Sequence, residues 1–317
     1  HSGALVRMKD ASFIKRILFK FSMYLGDIAV ERKLNKNFDD LLAKILLSIG
    51  YILSFRSLRK KLGLQRAEFA ASGAAPIAPE VLKFFMSIGV PLFEAYGMTE
   101  NCAYATSNSP ENIKIGTVGV PAHGVELKLA DDGEILIRSG GVFKGYFKDE
   151  QATNETIDKD GWLYTGDVGI YEGDFVKIVD RKRDIIITSG GKNVSPSEIE
   201  NKIKVSPFIK EAIVIGDRRK FLSVLIGIEF DTVSNWALRK NIPHTTYRDL
   251  SEKEEVKDLV WKEISKANEK TSSLEVREFR MIPKELDHEE GELTATQKVK
   301  RNVLIEQFSD LIEEMYT

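Results

Sequence analysis

Apolar side chains near the start of the chain recur at the spacing of an α-helix. Phe13, Ile17 and Phe21 fall on one face, and basic residues such as Lys15 lie between them. A stripe of this kind is typical of a helix that packs against a core and leaves its other face in solvent. The pattern predicts a helical region over residues 10–62.

A second apolar run covers residues 41–55, and basic residues follow at once over 56–61. The run is shorter than the roughly 20 residues that a membrane-spanning helix needs. Basic residues beside an apolar helix also occur where a helix lies on a membrane surface. Amphipathic helices are the norm in globular domains, so a helix that packs on the core is the simpler prediction. Peripheral membrane contact stays open as the alternative.

Beyond residue 66 the pattern changes to short apolar strands, each of which ends in a loop of small residues. Residues 67–71 lead into Ser-Gly-Ala-Ala-Pro at 72–76, and residues 90–94 lead into Ala-Tyr-Gly-Met-Thr-Glu at 95–100. A helical pattern over 79–89 separates the two strands. This alternation predicts a parallel sheet whose carboxyl edge holds a ligand. Small residues let the backbone come close to a bound group, and free amides there bind anions.

Short strands punctuated by glycine follow over residues 115–180 and predict an antiparallel, barrel-like subdomain. Within it, the segment 161–167 is expected to form a turn. Asp-Arg-Lys-Arg-Asp at 180–184 places five charges in a row between two apolar runs. Charges resist burial without partners, so this junction is either a seam between two domains or a solvated turn. The pattern beyond it predicts a smaller α+β unit, with a helix that begins at Ser195 and Pro196.

Composition limits the classes of function. The 317 residues are 43% apolar and 30% charged, which is typical of an ordinary soluble protein with room for two domains. A net charge of −2 gives no general attraction to nucleic acid or acidic lipid. Cys102 is the single cysteine, which excludes an internal disulfide and is expected to be a small buried side chain in a reducing compartment. The four histidines have no zinc-ligand spacing, and the start at His1 favours a fragment or a processed product.

Five motifs occur in an order that is more specific than any one of them. They are the segments 72–76, 96–100, 161–167 (Gly-Trp-Leu-Tyr-Thr-Gly-Asp) and 180–184, and the loop around Lys298. In this order they resemble the successive core motifs of the adenylate-forming enzymes, the superfamily of acyl-CoA synthetases, luciferases and peptide-synthetase adenylation domains. Residues 186–196, Gln297 in the lysine loop and the helical residues 10–62 resemble the long-chain fatty-acid–CoA ligase branch.

The resemblance implies a fold with α/β and α+β parts. A partial parallel α/β subdomain with a helical insertion is expected over residues 1–114, a distorted antiparallel β-barrel subdomain over 115–180, and a small mobile α+β domain over 181–317. Asp180 would be the hinge about which the last domain swings. Hinges are a few element-terminal positions that absorb a large dihedral change.

The resemblance also implies a two-step ligation that uses ATP, Mg²⁺ and coenzyme A. A fatty carboxylate attacks the α-phosphorus of MgATP to give an acyl-adenylate and pyrophosphate, and the CoA thiol then displaces AMP to give the thioester. Chemistry of this type depends on charge neutralisation and positioning more than on an acid or a base. The expected partners are therefore small molecules, namely fatty acid, ATP and CoA, with no nucleic acid.

Residues in the matching motifs take the roles that the resemblance implies. Lys298, Thr99 and Glu100 would be catalytic, with Lys298 neutralising phosphate and carboxylate charge and Glu100 holding Mg²⁺ through a hard oxygen ligand. Asp167 and Arg181 would bind the ribose. The full nucleotide-binding set would be Gly73, Ala74, Ala75, Glu94, Ala95, Tyr96 (its flat face against adenine), Gly97, Met98, Thr99, Asp167 and Arg181. The residues expected to contact CoA are Ser189, Gly190 and Gly191.

One motif of the superfamily has no match. Its Ser/Thr/Gly-rich phosphate-binding loop, which ends in Pro-Lys, does not occur before Ser72, so this chain is expected to be a C-terminal portion that binds nucleotide poorly by itself. Three alternatives stay open: an adenylate-forming enzyme for an aryl or shorter acyl acid, a non-catalytic nucleotide-binding module, and a membrane-surface fragment built on residues 10–62. A cytoplasmic location is expected, with a homodimer and peripheral membrane contact left open.

Overall fold

The computed structural model describes residues 3, 8, 11–35, 39–269, 271, 274–294 and 298–317. These residues form two compact units, Gly3–Arg183 and Asp184–Thr317. The first unit holds a helical region and two sheets, and the second is a smaller α+β unit. The mixed α/β and α+β fold class is thereby confirmed, and the subdomain boundary expected near residue 114 stays a prediction.

Helices dominate the beginning of the first unit. They are α1 (Phe13–Asn35), α2 (Leu41–Gly50), a π-helical turn (Tyr51–Phe55), α3 (Arg56–Lys61) and α4 (Pro79–Ser87). One further short helix, α5 (Glu150–Thr156), comes later in the unit. Asp40 caps α2, because its carboxylate accepts a hydrogen bond from the amide of Ala43 at 2.8 Å. The same carboxylate pairs with Arg32 near the end of α1 at 2.8 Å. This shared contact ties the end of α1 to the start of α2.

The helical region packs on the rest of the first unit through small and aromatic residues. A Cβ atom at Gly26 of α1 would come within 2.2 Å of the carbonyl oxygen of Ser87 in α4, so only glycine allows this approach. Phe55 is fully buried in a cluster that includes Phe84 and Ile88. These contacts fix the helices against the first sheet.

The apolar run of residues 41–55 belongs to a longer helix than its pattern predicts. α2, the π-helical turn and α3 follow without a break over Leu41–Lys61, a span of 21 residues. In the part of the chain that the structure describes, this is the one helix long enough and apolar enough to cross a membrane. The prediction that the run is too short was wrong, because the basic residues after Phe55 continue the helix. Only 17% of its most apolar window is buried, so it packs through one narrow side.

The first sheet has the order β1 (Ala70–Ser72), β2 (Leu92–Tyr96), β3 (Thr106–Ser107) and β4 (Val120–Pro121). β1 and β2 are parallel, and the remaining pairs are antiparallel. The predicted parallel pair is therefore confirmed. Each strand begins two or three residues later than its apolar pattern indicates.

The second sheet has the order β5 (Val125–Leu129), β6 (Glu134–Ser139), β7 (Leu163–Glu172) and β8 (Phe175–Arg181). All of its pairs are antiparallel. Ile135 and Ile137 of β6 and Val176 of β8 are buried and pack in one cluster with Tyr96 and Val118. This cluster joins the second sheet to the end of β2, and the predicted antiparallel sheet is confirmed.

Cys102 is exposed, which corrects the expectation of a buried side chain. It follows a short 3-10 helix, Thr99–Asn101, and adopts the left-handed conformation with φ +56°. The neighbouring Asn101 takes the buried position instead.

The second unit is built on a three-stranded sheet. This sheet consists of β11 (Ile209–Ile215), β12 (Leu222–Ile228) and β13 (Val276–Met281), in chain order. Two further strands of the unit, β9 (Ile186–Ile187) and β10 (Asn193–Val194), form a separate pair. Its helices are α6 (Pro196–Ile203), α7 (Phe230–Arg239), α8 (Tyr247–Glu252), α9 (Glu254–Glu269), α10 (Arg301–Gln307) and α11 (Ser309–Glu314). Every residue of β12 is buried, which makes it the centre of the unit. α6 begins as predicted, since Ser195 Oγ accepts from the amide of Glu198 at 3.3 Å.

Candidate functional site

Two loops leave the same edge of the first sheet. β1 and β2 are parallel, with Ser72 opposite Glu94. The segments 73–75 and 97–100 therefore begin side by side at the carboxyl ends of neighbouring strands, which is where ligands bind in open α/β sheets. The structure thus brings together the two loops that the sequence predicts to bind nucleotide.

The first loop offers its backbone to the surroundings. Gly73, Ala74 and Ala75 are exposed, and Ala74 has a left-handed φ of +66°. A Cβ atom at Gly73 would lie 3.1 Å from the carbonyl oxygen of Ala95, so the loop runs close to β2. The absence of a side chain at Gly73 therefore allows the loop to lie this close to β2.

The second loop depends on a glycine. A Cβ atom at Gly97 would lie 2.2 Å from the carbonyl carbon of Ala103, which is backbone and cannot rotate away. The loop is closed by a hydrogen bond from the amide of Met98 to Oδ1 of the buried Asn101 at 2.9 Å. Thr99 lies in the same loop and is exposed.

Tyr96, Asp167 and Arg181 lie together in the first unit. The hydroxyl of Tyr96 donates a hydrogen bond of 2.6 Å to Oδ2 of Asp167. Nε of Arg181 lies 3.9 Å from Oδ1 of the same carboxylate, and Asp167 and Arg181 are direct partners across β7 and β8. Burial, and then the charge of Asp167, raise the pKa of Tyr96, so its hydroxyl keeps its proton at neutral pH. Three residues of the predicted nucleotide set therefore form one connected group.

The ring of Tyr96 belongs to the core of the first unit. Its side chain is 8% exposed and packs with Ala105, Val118 and Ile135. The hydroxyl reaches Asp167, while the ring is largely covered by these neighbours. Stacking of this ring on adenine stays a prediction.

Asp167 lies in a strand, so the turn expected over residues 161–167 was wrong. Leu163 and Thr165 are buried and Tyr164 is exposed, which is the alternation of a strand with one covered face. Thr165 Oγ1 donates to the carbonyl oxygen of Ile135 at 2.7 Å. The glycine at 166 suggested a turn, but the buried partners on β6 hold the segment extended.

Glu94 is a buried carboxyl group in the middle of β2. Burial raises its pKa to about 7, although a hydrogen bond from the backbone of Ile77 lowers it. The main-chain carbonyl of Glu94 accepts from the amide of Asn108 at 2.9 Å. Near neutral pH the side chain is therefore poised between its charged and neutral forms.

Glu100 is held by a residue that the sequence did not indicate. The hydroxyl of Tyr146 donates to Oε1 of Glu100 at 2.9 Å, and the amide of Phe143 donates to the carbonyl oxygen of Glu100 at 2.8 Å. Burial and the Glu100 carboxylate raise the pKa of Tyr146, which keeps its hydroxyl a donor. Tyr146 lies in a short loop with no motif around it, so only the folded structure reveals this contact.

The Glu100 carboxylate could serve as a ligand of a Mg²⁺ ion. Among the residues that the structure describes, no group of three or more His, Cys, Asp and Glu side chains could hold a metal ion. Mg²⁺ does not need such a group, because proteins often bind it through one or two carboxylates together with substrate phosphates and water. The half-buried Glu100 carboxylate meets that requirement for a Mg²⁺ ion that arrives with a nucleotide.

Lys182 connects the charged junction to the second sheet. Its ammonium lies 2.9 Å from Oε2 of Glu134 and also pairs with Asp132, and these carboxylates raise its pKa. Oε1 of Glu134 accepts from the amide of Gly166 at 2.9 Å, beside Asp167. Glu134 was not among the predicted site residues. In the sequence, Glu134 is a single acidic residue at the start of an apolar strand. Sequence alone does not distinguish such a residue from one that is exposed to solvent.

The predicted CoA residues form the tip of a hairpin in the second unit. β9 and β10 pair antiparallel, and the amide of Gly191 donates to the carbonyl oxygen of Thr188 at 2.8 Å to close the turn. Ser189, Gly190 and Gly191 are exposed, and Gly191 has φ +75°. A Cβ atom at Gly190 would meet nothing within 4 Å. The tip is therefore open to a narrow ligand.

Lys298 also lies in the second unit, in a loop that its own backbone closes. The amide of Lys298 donates to Oγ1 of Thr294 at 3.0 Å, and its carbonyl oxygen accepts from the amide of Thr294 at 2.7 Å. Leu293 and Val299 pair as an isolated bridge. Gln297, which carried part of the resemblance, lies outside the described residues.

A buried ion pair anchors the chain just after Lys298. Arg301, the first residue of α10, pairs with Glu200 of α6. Its Nη1 donates to the carbonyl oxygen of Val214 at 2.8 Å, and the amide of Val214 donates to Glu200 Oε1 at 2.8 Å. α6, β11 and α10 therefore share one network, which the sequence did not predict.

Asp180 is buried and lies inside β8, opposite Val168 of β7. The two units divide between Arg183 and Asp184. The role of Asp180 as a hinge stays a prediction.

Comparison with known proteins gives two family matches. A model of the AMP-binding enzyme family matches residues 31–147, and a model of the AMP-binding enzyme C-terminal domain matches residues 183–317. The chain is 38% identical over 267 residues to the long-chain-fatty-acid–CoA ligase FadD15 of Mycobacterium bovis, covering 83% of this chain and 44% of that protein. It is 31% identical over 331 aligned positions to the long-chain-fatty-acid–CoA ligase ACSBG2 of Xenopus laevis, covering 96% of this chain and 44% of that protein.

A solved structure shares the fold. The adenylation domain of a carboxylic acid reductase from Segniliparus rugosus, solved with AMP and a co-purified carboxylic acid, superposes with a TM-score of 0.65 at 22% identity. The match covers 96% of this chain and 46% of that one. The chain thus spans less than half the length of the relatives it matches. Its motifs, its fold and the two family matches show that it belongs to the AMP-binding enzyme family.

Proposed function

We propose that the protein to which this chain belongs catalyses the AMP-forming ligation of a long-chain fatty acid to coenzyme A. The observation that carries the proposal is the group formed by Tyr96, Asp167 and Arg181, in which a carboxylate and a guanidinium face each other across two paired strands. Two acceptor oxygens and a guanidinium suit the hydroxyl groups of a ribose. Because the chain spans 44% of FadD15 and of ACSBG2, the activity is proposed for the whole protein.

The substrate class rests on the relatives. FadD15 and ACSBG2, which match over most of this chain at 38% and 31% identity, are both named long-chain-fatty-acid–CoA ligases. An aryl or shorter acyl acid, which the sequence left open, has less support from these names. A non-catalytic nucleotide-binding module is also less favoured, since the chain keeps both Glu100 and Lys298.

In the first step, an oxygen of the fatty carboxylate attacks the α-phosphorus of ATP, and the bond to the β-phosphate oxygen breaks to release pyrophosphate. Asp167 and Arg181 bind the ribose, and the exposed backbone of residues 73–75 lines the nucleotide. Thr99 contributes a hydroxyl donor to phosphate. Glu100 would hold a Mg²⁺ ion that arrives with the nucleotide, and such an ion would neutralise charge on the phosphates. Tyr146 keeps the Glu100 carboxylate oriented through its 2.9 Å hydrogen bond.

The second unit contributes Lys298 and the glycine turn. In this proposal, Lys298 supplies a cation to the phosphate and carboxylate oxygens as negative charge builds up in the first step. In the second step, the CoA thiolate attacks the acyl carbonyl carbon, and the bond to the AMP oxygen breaks. The exposed turn of Ser189, Gly190 and Gly191 leaves room for the pantetheine arm.

The test measures the two half-reactions separately in the full-length protein. Pyrophosphate release from ATP is followed with a series of saturated fatty acids and with benzoate, and thioester formation is then followed with CoA. We expect the highest kcat/KM with long-chain acids. Lys298→Ala should lower pyrophosphate release at least about a hundredfold, since a cation at the reacting phosphate is worth several kcal/mol.

Lys262→Ala is the matched control, because Lys262 is an exposed lysine on α9 of the same unit. It should leave both half-reactions unchanged. A higher kcat/KM with benzoate than with fatty acids would reject the proposed substrate class but would leave the proposed adenylation step intact. Unchanged pyrophosphate release in the Lys298 variant would reject the proposed catalytic residue.

A further inference from the structure

The loop that carries Lys298 has two arms, residues before it and residues after it, which pair with each other. In the second arm, the amide of Lys300 donates to the carbonyl oxygen of Glu292, in the first arm, at 2.8 Å. Nearer the tip, the amide of Thr294 donates to the carbonyl oxygen of Lys298 at 2.7 Å. The buried ion pair of Arg301 already anchors the second arm. The position of Lys298 therefore also depends on what anchors the first arm.

The side chain of Glu292 ties the first arm to the segment that follows β13. It is fully buried, and its Oε2 accepts a hydrogen bond from the amide of Asp287 at 2.8 Å. Its Oε1 lies 2.7 Å from Nζ of Lys284, which also pairs with Glu290. The amide of Glu292 donates to the carbonyl oxygen of Asp287 at 3.2 Å. Both the side chain and the main chain of Glu292 are thus held.

Burial makes the contacts of Glu292 sensitive to geometry. A carboxylate that is removed from water is stable only where a cation or hydrogen-bond donors meet it. If the first arm shifted, Glu292 would lose Lys284 or the amide of Asp287, and a charged oxygen would stay unsatisfied in the interior. The network therefore favours one position of the arm over nearby ones.

A cavity limits the apolar packing beside the first arm. It has a volume of about 150 Å³, and Leu293, Leu286 and Lys284 are among the residues that line it. Side chains that border a void have no partner atoms on that side. Leu293 therefore lacks close neighbours there, and the polar contacts of Glu292 are the more specific constraint on the arm.

We propose that Glu292 is a positioning residue for Lys298. Held by Lys284, its carboxylate fixes the arm from which the amide of Thr294 reaches the main chain of Lys298. The lysine is thereby kept in one place for its proposed part in the first half-reaction. This inference rests on the proposed ligase function, and it assigns no contact between Glu292 and a substrate.

A positioning role predicts an effect on one half-reaction alone. Glu292→Gln keeps the size of the side chain and removes its charge. In the full-length protein, kcat for pyrophosphate release should fall at least about tenfold, since misplacement of a group by about 1 Å can cost about a hundredfold in rate. Thioester formation from the isolated acyl-adenylate should be unchanged, because Lys298 has no proposed part in that step. A loss of stability alone would lower both rates together.

The partner of Glu292 gives a second pair of variants. Lys284→Met removes the cation and should lower pyrophosphate release as Glu292→Gln does, whereas Lys284→Arg keeps a cation and should restore most of the rate. These variants keep the proposal testable if Glu292→Gln fails to fold, which circular dichroism would report.

Lys210→Met is the matched control. Lys210 lines the same cavity, and its ammonium lies 3.2 Å from Oε1 of Glu285. Both side chains of this pair are about half exposed, and exposed pairs contribute little. This variant should leave both half-reactions unchanged.

Hydrogen exchange tests the anchor without catalysis. The amides of Thr294 and Lys300 both donate across the two arms. In Glu292→Gln of the full-length protein, their exchange should be at least about tenfold faster than in the parent, because a hydrogen bond to a charged group is worth about 1.5–3 kcal/mol. The amides of the buried strand β12 should exchange at the parent rate. Mass spectrometry with residue resolution measures both sets.

Unchanged exchange of Thr294 and Lys300 in Glu292→Gln would overturn the proposal, and so would equal loss of the two half-reactions. Combination with Lys298→Ala gives a further test. Because Glu292 acts through Lys298, its substitution should then cause no additional loss, and additive losses would show an independent role. A parent that releases no pyrophosphate with any acid would instead reject the proposed function, and the exchange rates would still decide whether Glu292 anchors the arm.

Discussion

The hydroxyl of Tyr96 donates a 2.6 Å hydrogen bond to the carboxylate of Asp167, and this bond joins the first sheet to the second. Tyr96 ends β2, and Asp167 lies in β7 opposite Arg181. A carboxylate held by a donor on one side and a guanidinium on the other has few orientations open to it. The geometry therefore prepares Asp167 to accept hydrogen bonds from a ligand.

Removal of the Tyr96 hydroxyl should weaken AMP binding through Asp167. Asp167→Asn should raise the Kd for AMP at least about tenfold, because a hydrogen bond to a charged group is worth about 1.5–3 kcal/mol. Tyr96→Phe should raise it about threefold to tenfold, since the carboxylate loses its fixed orientation. Calorimetric titration of the full-length protein measures both.

The double variant distinguishes an indirect role from a direct one. If Tyr96 acts through Asp167, then Tyr96→Phe adds little to Asp167→Asn. Tyr171→Phe is the control. Tyr171 lies on β7, as Asp167 does, but its hydroxyl donates to the carbonyl oxygen of Leu127 at 3.1 Å. Full additivity would show that the Tyr96 hydroxyl contacts the nucleotide itself.

Glu94 should make stability depend on pH. Its pKa is raised from 4.5 to about 7 in the folded protein, so the folded state holds the proton more tightly than the unfolded state. Its contribution is therefore fully present below pH 4.5 and is lost as the pH rises through about 7. The free energy of unfolding should fall by about 3 kcal/mol over this window because of Glu94.

Glu94→Gln removes the titrating group. We expect the difference in unfolding free energy between variant and parent to grow in favour of the variant from pH 5 to pH 8, as measured by urea denaturation. Glu111→Gln, at an exposed position, should show no such trend. A parallel pair of pH profiles for the Glu94 variant and the parent would contradict the prediction.

Gly97→Ala should destabilise the first unit by about 2–3 kcal/mol. The added methyl group would meet the backbone of Ala103 at 2.2 Å, so the loop that carries Thr99 and Glu100 must move. Gly140→Ala is the control, since Gly140 lies in the same unit and its Cβ atom would meet nothing within 4 Å. With Trp236 and Trp261 of the second unit replaced by Phe in every protein compared, denaturant unfolding followed by the fluorescence of Trp162 reports on the first unit. Equal stability of the two variants would mean that the loop accommodates the methyl group.

Arg301→Met should destabilise the second unit by about 3 kcal/mol, because it leaves the Glu200 carboxylate with its pairing partner removed. Arg301 and Glu200 form the buried pair that anchors the chain beside Lys298. Arg248→Met breaks an exposed pair with Glu252, and such pairs contribute about 0–1 kcal/mol. Thermal unfolding of both variants and the parent measures the two losses of stability. A recovery of stability in Arg301→Met combined with Glu200→Gln would confirm that the uncompensated charge is the cause.

The sequence predicted the elements whose patterns are local. The parallel pair β1 and β2, the start of α6 at Ser195 and the antiparallel second sheet all follow from apolar spacing, turn residues and capping chemistry. The order of the motifs predicted the nucleotide residues as a set, and their role in binding stays a prediction. No local pattern gave their mutual contacts.

The errors came from tertiary contacts that override local preference. Gly166 suggested a turn, but Thr165 is held by a backbone carbonyl of β6 and keeps the strand extended. The apolar run over 41–55 was judged too short to span a membrane because it ends at Phe55, but the basic residues after it continue the helix to Lys61. Tyr146, Glu134 and the Arg301–Glu200 pair could not be found from sequence, because their partners are distant in the chain.

The pairing of β7 with β8 also bears on the order in which the chain folds. Both members of the Asp167 and Arg181 pair belong to a single hairpin closed by the turn after Glu172. Short loops close at a low entropic cost and form early. Asp167 and Arg181 should thus come together as a local unit, before Asp167 makes its contact with Tyr96, which lies 71 residues earlier in the chain.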